Sequence, residues 1–388
     1  MRPAVAAALA AAALACGLTG PVSAAGPVRA ASPGGPALQR DTDAVVRAGT
    51  YGAAVELTTP EGTATAHGGV ADRRTGRPMR PWDRYRAGST VKTLVAAVTL
   101  QLVAEGRLSL DGTVDRWLPG AVHGNGNDGR RITLRHLLQH TSGLRGYTGV
   151  REVFPVGYSA RGYFAHRFDH HTPEEFVAAA TRYPPRFAPG TDWAYSNTNY
   201  VLVGMIIEKA AGRTWRDEVR DRLIGPLGLR ETSLPADSPV LPAPFAHGYQ
   251  TFAEDGLEAD TTLFNGTGAD AAGDLVTTPH DVNRFFTALL GGRVLRPAQL
   301  AEMLRPRPLP GEPGRGYGLG IETTPLSCGG LAWHHGGNAL GYSSENAVSP
   351  DGRRAVTVST NTFDEADEER QERTDAAVRA LIDHAMCG

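Results

Sequence analysis

The sequence predicts a mixed α/β (α+β) fold in which an antiparallel sheet is flanked by helices and joined to an all-helical part. Residues 51–70 alternate Thr, Val and Ala on either side of a Pro-Glu-Gly turn, which is typical of a β-hairpin. Near the C-terminus, GLAWHHGG, GYSSENAVSP and RRAVTVSTN have the composition of strands, and Pro-Asp-Gly forms a turn between the last two. Strands at both ends of the chain therefore indicate one sheet assembled from the two termini.

The helical patterns lie mainly between these two groups of strands. LVAAVTLQLVAEG is apolar on nearly every side, which predicts a buried helix that begins near Ser89 and ends at Gly106. The other predicted helices are TLRHLLQH, PEEFVAAATRY, NYVLVGMIIEKAAG, PHDVNRFFTALLGG and a C-terminal helix over residues 364–386. We expect a sheet part from about 41–88 and 295–388, and a helical part from about 89–294.

The N-terminus has the pattern of a secretory signal over residues 1–24. Arg2 precedes an Ala- and Leu-rich stretch too short to span a bilayer, and Val-Ser-Ala at the end of the segment fits a cleavage site. The alternative is a lipoprotein anchor at Cys16. Residues 25–40 are rich in Pro, Gly, Ala and Ser and predict a linker before a single domain at 41–388. We therefore expect a secreted protein.

Composition limits the partners that this protein can have. The chain has 388 residues, 41% of them hydrophobic, which is enough for a sizeable core. Its formal charge is -2 and it has no polybasic run, so nucleic acid is not an expected partner. No segment after the N-terminal one is long and apolar enough to cross a membrane. We expect a monomer that acts on small molecules.

Lys92 is one of only two lysines among 39 basic residues, and it follows Ser89 by three positions. Residues i and i+3 of a helix lie on one face, so the hydroxyl would lie at the helix start with the amine one turn in. A buried amine has a lowered pKa and, when neutral, can take a proton from the hydroxyl. The alternative is a helix cap followed by a surface lysine, which the apolar surroundings disfavour.

Two further segments carry candidate residues. Tyr195 and Asn197 alternate just before an apolar helix. A tyrosine can share a proton with a nearby lysine, and an asparagine amide can hold a substrate carbonyl. His335, followed by Gly336 and Gly337, ends a predicted strand, where glycine lets a substrate backbone approach closely. The alternatives are a packed tyrosine, a capping asparagine and an ordinary glycine turn.

These three segments together resemble the family of serine D-alanyl-D-alanine carboxypeptidases and class C β-lactamases, whose three motifs are S-x-x-K, S-D-N and K-T-G in that order. Ser89 and Lys92 match the first motif. Tyr195-Ser196-Asn197 matches the second motif and His335-Gly336-Gly337 the third. The similarity continues through ITLRHLLQHTSGL, FAPGTDWAYSNTNYVLVGMIIEKAAG, GYGLGIE and LSCGG, and covers most of the chain after residue 41. It implies a β-lactamase/transpeptidase-like fold.

The resemblance also implies a role for each motif residue. Ser89 is the expected nucleophile, Lys92 the base for acylation, and Tyr195 a proton relay. Asn197 is expected to hold the substrate amide, and His335 and Gly337 to take the third-motif positions. The backbone N–H groups of Ser89 and Asn338 are the expected oxyanion hole, and each donor in such a hole is typically worth a few kcal/mol.

Two departures from the family pattern concern the substrate. Gly336 stands where Thr or Ser is commoner, so one hydroxyl contact is missing. Glu322 stands where carboxypeptidase relatives tend to carry Arg, and its charge would repel a free C-terminal carboxylate. We therefore expect weak activity on peptides that end in free D-Ala. The alternative is that Glu322 points away and Arg315 or another arginine supplies a positive charge.

Cysteine and histidine patterns give weaker signals. Removal of Cys16 with the signal segment would leave Cys328 and Cys387, an even pair that favours a disulfide over two free thiols in an exported protein. His136 and His140 have a metal-ligand spacing but no adjacent Glu, and a polar loop at 166–171 contains three histidines. We expect neither a metal nor a cofactor.

The favoured activity from sequence is a D-alanyl-D-alanine carboxypeptidase that acts on cell-wall peptides and is acylated by β-lactams. Two alternatives remain open. The same fold also serves esterases, class C-like β-lactamases and D-amino-acid amidases. A penicillin-binding protein that is acylated but turns over nothing is the alternative from another functional class.

Overall fold

The structure is a computed structural model that describes residues 35–388. The helices in this range are α1 Gly35–Ala48, α2 Val91–Ala104, α3 Val114–Trp117, α4 Leu134–Leu138, α5 Ala160–His166, α6 Pro173–Thr181, α7 Asn197–Ala211, α8 Trp215–Val219, α9 Gly225–Leu227, α10 Pro279–Leu290, α11 Pro297–Met303 and α12 Glu368–Cys387. The strands are β1 Gly52–Thr59, β2 Gly62–Asp72, β3 Arg77–Pro78, β4 Tyr85–Arg86, β5 His123–Gly124, β6 Asn127–Asp128, β7 Tyr249–Thr251, β8 Glu258–Asp260, β9 Val276–Thr277, β10 Arg307–Pro308, β11 Gly316–Tyr317, β12 Glu322–Pro325, β13 Leu331–His334, β14 Gly337–Ala339, β15 Tyr342–Val348, β16 Ala355–Thr360 and β17 Thr362–Asp364.

The main sheet joins strands from residues 52–78 to strands from residues 307–360. Its strand order is β10-β11-β12-β13-β15-β16-β1-β2-β3, with β14 paired to β15. All the pairings in it are antiparallel. The β1–β2 hairpin closes with Thr59 opposite Gly62, at the turn that the sequence indicates. The predicted fold class, an antiparallel sheet flanked by helices with a helical part inserted between its strands, is confirmed.

Helix α1 corrects the predicted boundary between linker and domain. It begins at Gly35, so the linker expected to extend to residue 40 ends earlier. Leu38, Thr42 and Val45 recur at helical spacing and are buried, the two apolar ones in the cluster that includes residues of β1, β16 and α12. This burial outweighs the Pro- and Gly-rich composition of the segment. The expected signal segment at 1–24 and Cys16 lie outside the described residues.

Helix α2 runs through the interior of the helical part. Most of its residues are buried, Lys92 among them, because apolar side chains lie on almost every side. A short 3₁₀ helix at Gly88–Thr90 leads into it. After its last turn, Gly106 adopts a left-handed backbone with φ +74°, as a glycine helix stop requires. This arrangement puts the N-terminal end of a buried helix beside Ser89.

The C-terminal helix α12 packs against β15 and β16 and is tied to the sheet covalently. The Sγ atoms of Cys328 and Cys387 are 2.05 Å apart, which is the pairing expected from the sequence. Cys328 lies in the turn between β12 and β13, so the bond connects that turn to the end of the chain.

None of the helices within residues 35–388 has the length and hydropathy that a bilayer span needs.

Replacing Cys387 with Ser is expected to lower the free energy of unfolding by up to about 4 kcal/mol, because the bond closes a loop with a sequence separation of 59 and removes that entropy from the unfolded chain. Denaturant unfolding of the oxidised protein and the variant measures the difference. Cys328→Ser should give the same loss, and an unchanged unfolding midpoint in both variants would contradict the prediction.

Candidate active site

Ser89 lies at the start of the buried helix, on a turn that only glycine permits. Gly88 has φ +51°, and a Cβ atom there would be 2.2 Å from the carbonyl oxygen of Asn338. A Cβ atom on Gly337 would be 1.9 Å from the carbonyl oxygen of Ala87 and 2.8 Å from the amide nitrogen of Ser89. The two glycines therefore bring β14 into backbone contact with the serine turn.

The amine of Lys92 faces Ser89. Its Nζ lies 2.9 Å from Ser89 Oγ, 2.8 Å from Asn197 Oδ1 and 2.6 Å from the carbonyl oxygen of Ala272. The lysine is fully buried, and this desolvation lowers its pKa well below the usual value, against the opposing negative charge of Glu322. Lys92 therefore lies within hydrogen-bonding distance of Ser89, one helical turn further along, as the spacing predicts.

The three contacts of Lys92 also orient its lone pair. A neutral amine has two N–H donors and one lone pair. The oxygens of Asn197 and Ala272 can only accept, so both N–H groups point to them. The lone pair is then left for the hydroxyl of Ser89, which can donate its proton. With a neutral amine, this geometry would allow Lys92 to take the proton of Ser89.

Tyr195 lies over the same amine, with its ring centroid 4.9 Å from Lys92 Nζ. Burial raises the pKa of the Tyr195 hydroxyl, and hydrogen bonding to Ser89 acts in the opposite direction. The phenol therefore keeps its proton at neutral pH, whereas the amine loses its proton readily. A proton relay must hold a proton that it can donate, whereas a base must be free of one. The raised pKa of Tyr195 and the lowered pKa of Lys92 suit these two roles.

His140 positions the segment that carries Tyr195. Its Nδ1 accepts hydrogen bonds from the amide nitrogen of Ser196 at 3.3 Å and from Asn199 Nδ2 at 3.1 Å, and its carbonyl oxygen accepts from the amide nitrogen of Ala194. The His140 ring also packs on the Tyr195 ring, with centroids 4.3 Å apart. Burial keeps its pKa well below the usual value, so the ring is neutral and can accept.

His140 also explains why α4 is shorter than predicted. The residue has φ +57°, which ends the helical run after Leu138 and turns the chain toward the site. His136 instead caps α4, because its amide and ring bind Thr133. The two histidines of the suggested metal spacing therefore serve different structural purposes.

His335, which is expected to bind substrate, is held by contacts within the protein. It is 1% exposed, and both ring nitrogens are engaged. Nδ1 donates to the carbonyl oxygen of Gly336 at 2.7 Å, so Nε2 accepts from the hydroxyl of Tyr317 at 2.9 Å. Burial lowers the pKa of His335 to about 4, so the ring is neutral at pH 7. Its carbonyl accepts from Thr90 Oγ1, which ties β13 to the serine helix.

Gly336 lacks a side chain because a carboxyl group occupies that space. A Cβ atom there would lie 2.4 Å from Glu345 Oε1 and 2.5 Å from Oε2. Burial and the nearby charges of Glu322 and Asp375 raise the pKa of Glu345 to about 8, so this carboxyl group is mostly protonated at pH 7. The departure of the third motif is therefore coupled to Glu345 on β15.

Gly336→Thr is expected to destabilise the fold by about 1–3 kcal/mol, the usual range for overpacking, because the new side chain meets the Glu345 carboxyl group. Glu345→Ala should remove most of that penalty when the two changes are combined. Denaturant unfolding of both single variants and the double variant measures the coupling. Equal penalties for Gly336→Thr with and without Glu345 would contradict this account.

Glu322 does not meet substrate as an isolated charge. Its Oε2 accepts a hydrogen bond from Arg315 Nη2 at 2.8 Å, and the same guanidinium also pairs with Glu312. On the sheet, Glu322 lies opposite His334 rather than His335. The expected repulsion of a substrate carboxylate by Glu322 is thereby weakened, and the alternative cation, Arg315, is occupied by two carboxylates.

A cavity of about 350 Å³ opens at Ser89. Its walls are largely apolar and aromatic, and its polar groups include the side chains of Asn197 and Asn338. Its lining residues include Tyr147, Phe154, Phe264, Ala269, Leu340 and Phe363. A cavity of this size accommodates a small acyl group with an apolar side chain.

The histidine-rich loop at 166–171 lies elsewhere. His166 Nδ1 binds Asp169 Oδ2 at 2.8 Å, whereas His170 Nδ1 binds Asp237 Oδ1 at 2.6 Å. Within residues 35–388, no three His, Cys, Asp or Glu side chains come together as a metal ion would require. Asp169, His170 and His171 line a separate surface cavity rather than the cavity at Ser89.

Sequence reasoning missed His140 and Tyr317 as positioning residues and the carbonyl of Ala272 as a partner of Lys92. Each of them acts through a contact between segments far apart in the chain. The only local signal was the position of Tyr317 within GYGLGIE and of His140 within ITLRHLLQHTSGL, both in stretches similar to the family.

Comparison with known proteins agrees with the predicted fold. A family model described as Beta-lactamase matches residues 38–380. A D-stereospecific amidohydrolase from Streptomyces sp. has a similar structure, with a TM-score of 0.79 and 39% identity over 87% of this chain and 97% of that chain. The D-amino acid amidase from Ochrobactrum anthropi SV3, solved with D-phenylalanine, gives a TM-score of 0.74 and 28% identity over 90% of this chain and 99% of the amidase.

One protein that is similar in sequence is named an esterase rather than an amidase. Over 176 residues the chain is 38% identical to esterase EstB from Burkholderia gladioli. That match covers 44% of this chain and 43% of the esterase, less than half of either protein.

Proposed function

Since this chain belongs to the β-lactamase family and is a serine hydrolase of that fold, we propose that it hydrolyses amides and esters of D-amino acyl compounds through an acyl-enzyme at Ser89. The observation that carries the proposal is the fully buried amine of Lys92, whose Nζ lies 2.9 Å from Ser89 Oγ. Export through the segment at 1–24 is part of the proposal, and the Cys328–Cys387 bond supports it.

Acylation begins when Lys92 takes the proton of Ser89 as Oγ attacks the substrate carbonyl carbon. The carbonyl oxygen becomes an oxyanion. The backbone N–H groups of Ser89 and Asn338 are the proposed donors to it, because Gly88 and Gly337 bring their two segments into contact. The position of Ser89 at the N-terminus of the helical run adds a favourable partial charge.

Expulsion of the leaving group requires a proton on its nitrogen or oxygen. Tyr195 lies over the Lys92 amine and keeps its own proton, so it can donate to the leaving group and be reprotonated from Lys92. Asn197 accepts from Lys92 through Oδ1, and its Nδ2 donates one hydrogen bond to Thr148 Oγ1 at 3.5 Å, so its second N–H can hold the substrate amide carbonyl. In the second half, water replaces the leaving group and the same proton transfers run in reverse.

Arg86 and Arg315, the two cations named near the site, are engaged within the protein rather than available to a substrate carboxylate. The site therefore favours acyl amides and esters over peptides with a free C-terminal carboxylate. The guanidinium of Arg86, a cation at the cavity, donates to the carbonyl oxygens of Pro239, Thr262 and Phe264. Near the third motif, Arg315 is paired with two glutamates. The D-alanyl-D-alanine carboxypeptidase activity favoured by the sequence resemblance is therefore the second candidate, and similarity to the Streptomyces amidohydrolase supports the first.

A panel of substrates tests the proposal. We expect hydrolysis of D-phenylalaninamide and of a D-phenylalanine ester, slower hydrolysis of the L-enantiomers, and weaker turnover of an N-acyl-D-Ala-D-Ala peptide. A faster rate on the D-Ala-D-Ala peptide would favour the carboxypeptidase. Stable labelling by a fluorescent penicillin without turnover of any member of the panel would favour the non-catalytic penicillin-binding alternative.

A further inference from the structure

The cavity at Ser89 is lined by an acidic residue that the acylation chemistry does not use. Glu365 lines this cavity together with apolar and aromatic side chains, among them Phe363 and Leu340. The other acidic residue at the cavity, Asp274, pairs with Arg216 at 2.9 Å. Glu365 is therefore the acidic group whose purpose is not accounted for.

The backbone fixes Glu365 at this wall. Strand β17 pairs in parallel with β7, with Phe363 opposite Gln250. Immediately after β17, the amide nitrogen of Glu365 donates to the carbonyl oxygen of Thr251 at 3.0 Å. The backbone of Glu365 is thus hydrogen-bonded to the strand beside it and does not belong to a free loop.

Within residues 35–388 no salt bridge involves Glu365, and Arg86, the cation at the same cavity, donates instead to the carbonyl oxygens of Pro239, Thr262 and Phe264. The side chain is partly buried, and burial raises its pKa, while the neighbouring amide groups of Ala253 and Gln250 act in the opposite direction. A partly desolvated carboxylate beside apolar walls is stabilised strongly by a cation that a ligand brings.

We propose that Glu365 binds an ammonium group on the acyl part of the substrate, so that the enzyme prefers acyl groups with a free amine. The inference rests on the proposed acyl transfer at Ser89. The apolar walls hold the side chain of the acyl group, and the carboxylate pairs with its amine. The amine is either the α-ammonium of an unblocked amino acid or the ammonium of a cationic side chain.

Glu365→Gln tests the inference, because it keeps the shape of the side chain and removes its charge. Three substrates separate the outcomes. D-phenylalanine 4-nitroanilide carries only an α-ammonium, N-acetyl-D-lysine 4-nitroanilide carries only a side-chain ammonium, and 4-nitrophenyl 3-phenylpropionate carries neither. The ratio of variant to wild-type kcat/KM is measured for each substrate. Glu368→Gln, an exposed glutamate three residues further along, is the matched control.

We expect Glu365→Gln to lower kcat/KM by about 10- to 100-fold on an ammonium substrate, the usual range for a charged hydrogen bond, and to leave the neutral ester within about twofold of wild type. Loss on D-phenylalanine 4-nitroanilide identifies the α-amine, and loss on N-acetyl-D-lysine 4-nitroanilide the side-chain amine. Glu368→Gln should change none of the three ratios.

Two results would overturn the inference while leaving acyl transfer intact. One is an equal loss on all three substrates, which would mean that Glu365 acts on folding or chemistry. The other is no loss on either ammonium substrate, or hydrolysis of the neutral ester alone by the wild type. If the wild type hydrolyses none of the three, the proposed function itself fails.

Discussion

Ser89→Ala is expected to abolish hydrolysis of every substrate and acylation by labelled penicillin. Removal of the nucleophile from a serine hydrolase typically costs about 10⁶ in kcat. The effect should be this large because Lys92 Nζ and the helix N-terminus converge on this one hydroxyl. Intact-mass spectrometry after incubation with a penicillin measures acylation directly, and turnover of a chromogenic ester measures hydrolysis.

The folded state of the Ser89→Ala variant should be unchanged, because the serine is only partly buried and its hydroxyl bonds to Lys92 rather than to the core. Thermal unfolding compared with wild type checks this point. A well-folded variant that still gains the mass of a penicillin would show that another side chain is the nucleophile.

Lys92→Arg is expected to lose nearly as much activity as Lys92→Ala, about 10²- to 10⁴-fold in kcat/KM. Arginine keeps a positive charge but cannot release its proton, and its planar group does not fit a site built around one amine. Lys209→Arg is the matched control, since Lys209 is the other lysine in the chain and is exposed. Retained activity in Lys92→Arg would make the lysine structural.

The pH dependence of the wild type should support the same assignment. Burial lowers the pKa of Lys92 well below its usual value. Below that lowered pKa the amine is protonated and cannot act as a base, so kcat/KM should rise with pH through it and then level off. A profile of kcat/KM on a neutral ester measures this limb. A rate that is constant from acid to alkaline pH would contradict the role of Lys92.

Local patterns predicted much of the site because its chemistry depends on short spacings. The Ser89-to-Lys92 interval places hydroxyl and amine on one turn, and the apolar residues around Lys92 already implied a buried amine. The β1–β2 hairpin and the buried helix followed from turn residues and from hydrophobic periodicity. Helix α1 was misassigned because composition near its start is typical of a linker, while its burial depends on the sheet.

The sequence by itself determined the fold class and the candidates for nucleophile, base and proton relay, since Ser89 and Lys92 lie on one helical turn and Tyr195 lies in a short motif that resembles the family. Only the tertiary structure decided that His335 is buried against Tyr317, that Glu345 fills the space beside Gly336, and that Glu365 lines the cavity at Ser89. The physical reason is that burial, hydrogen-bond partners and charge pairing arise between segments distant in sequence. They exist only once the sheet has brought residues 52–78 and 307–360 together.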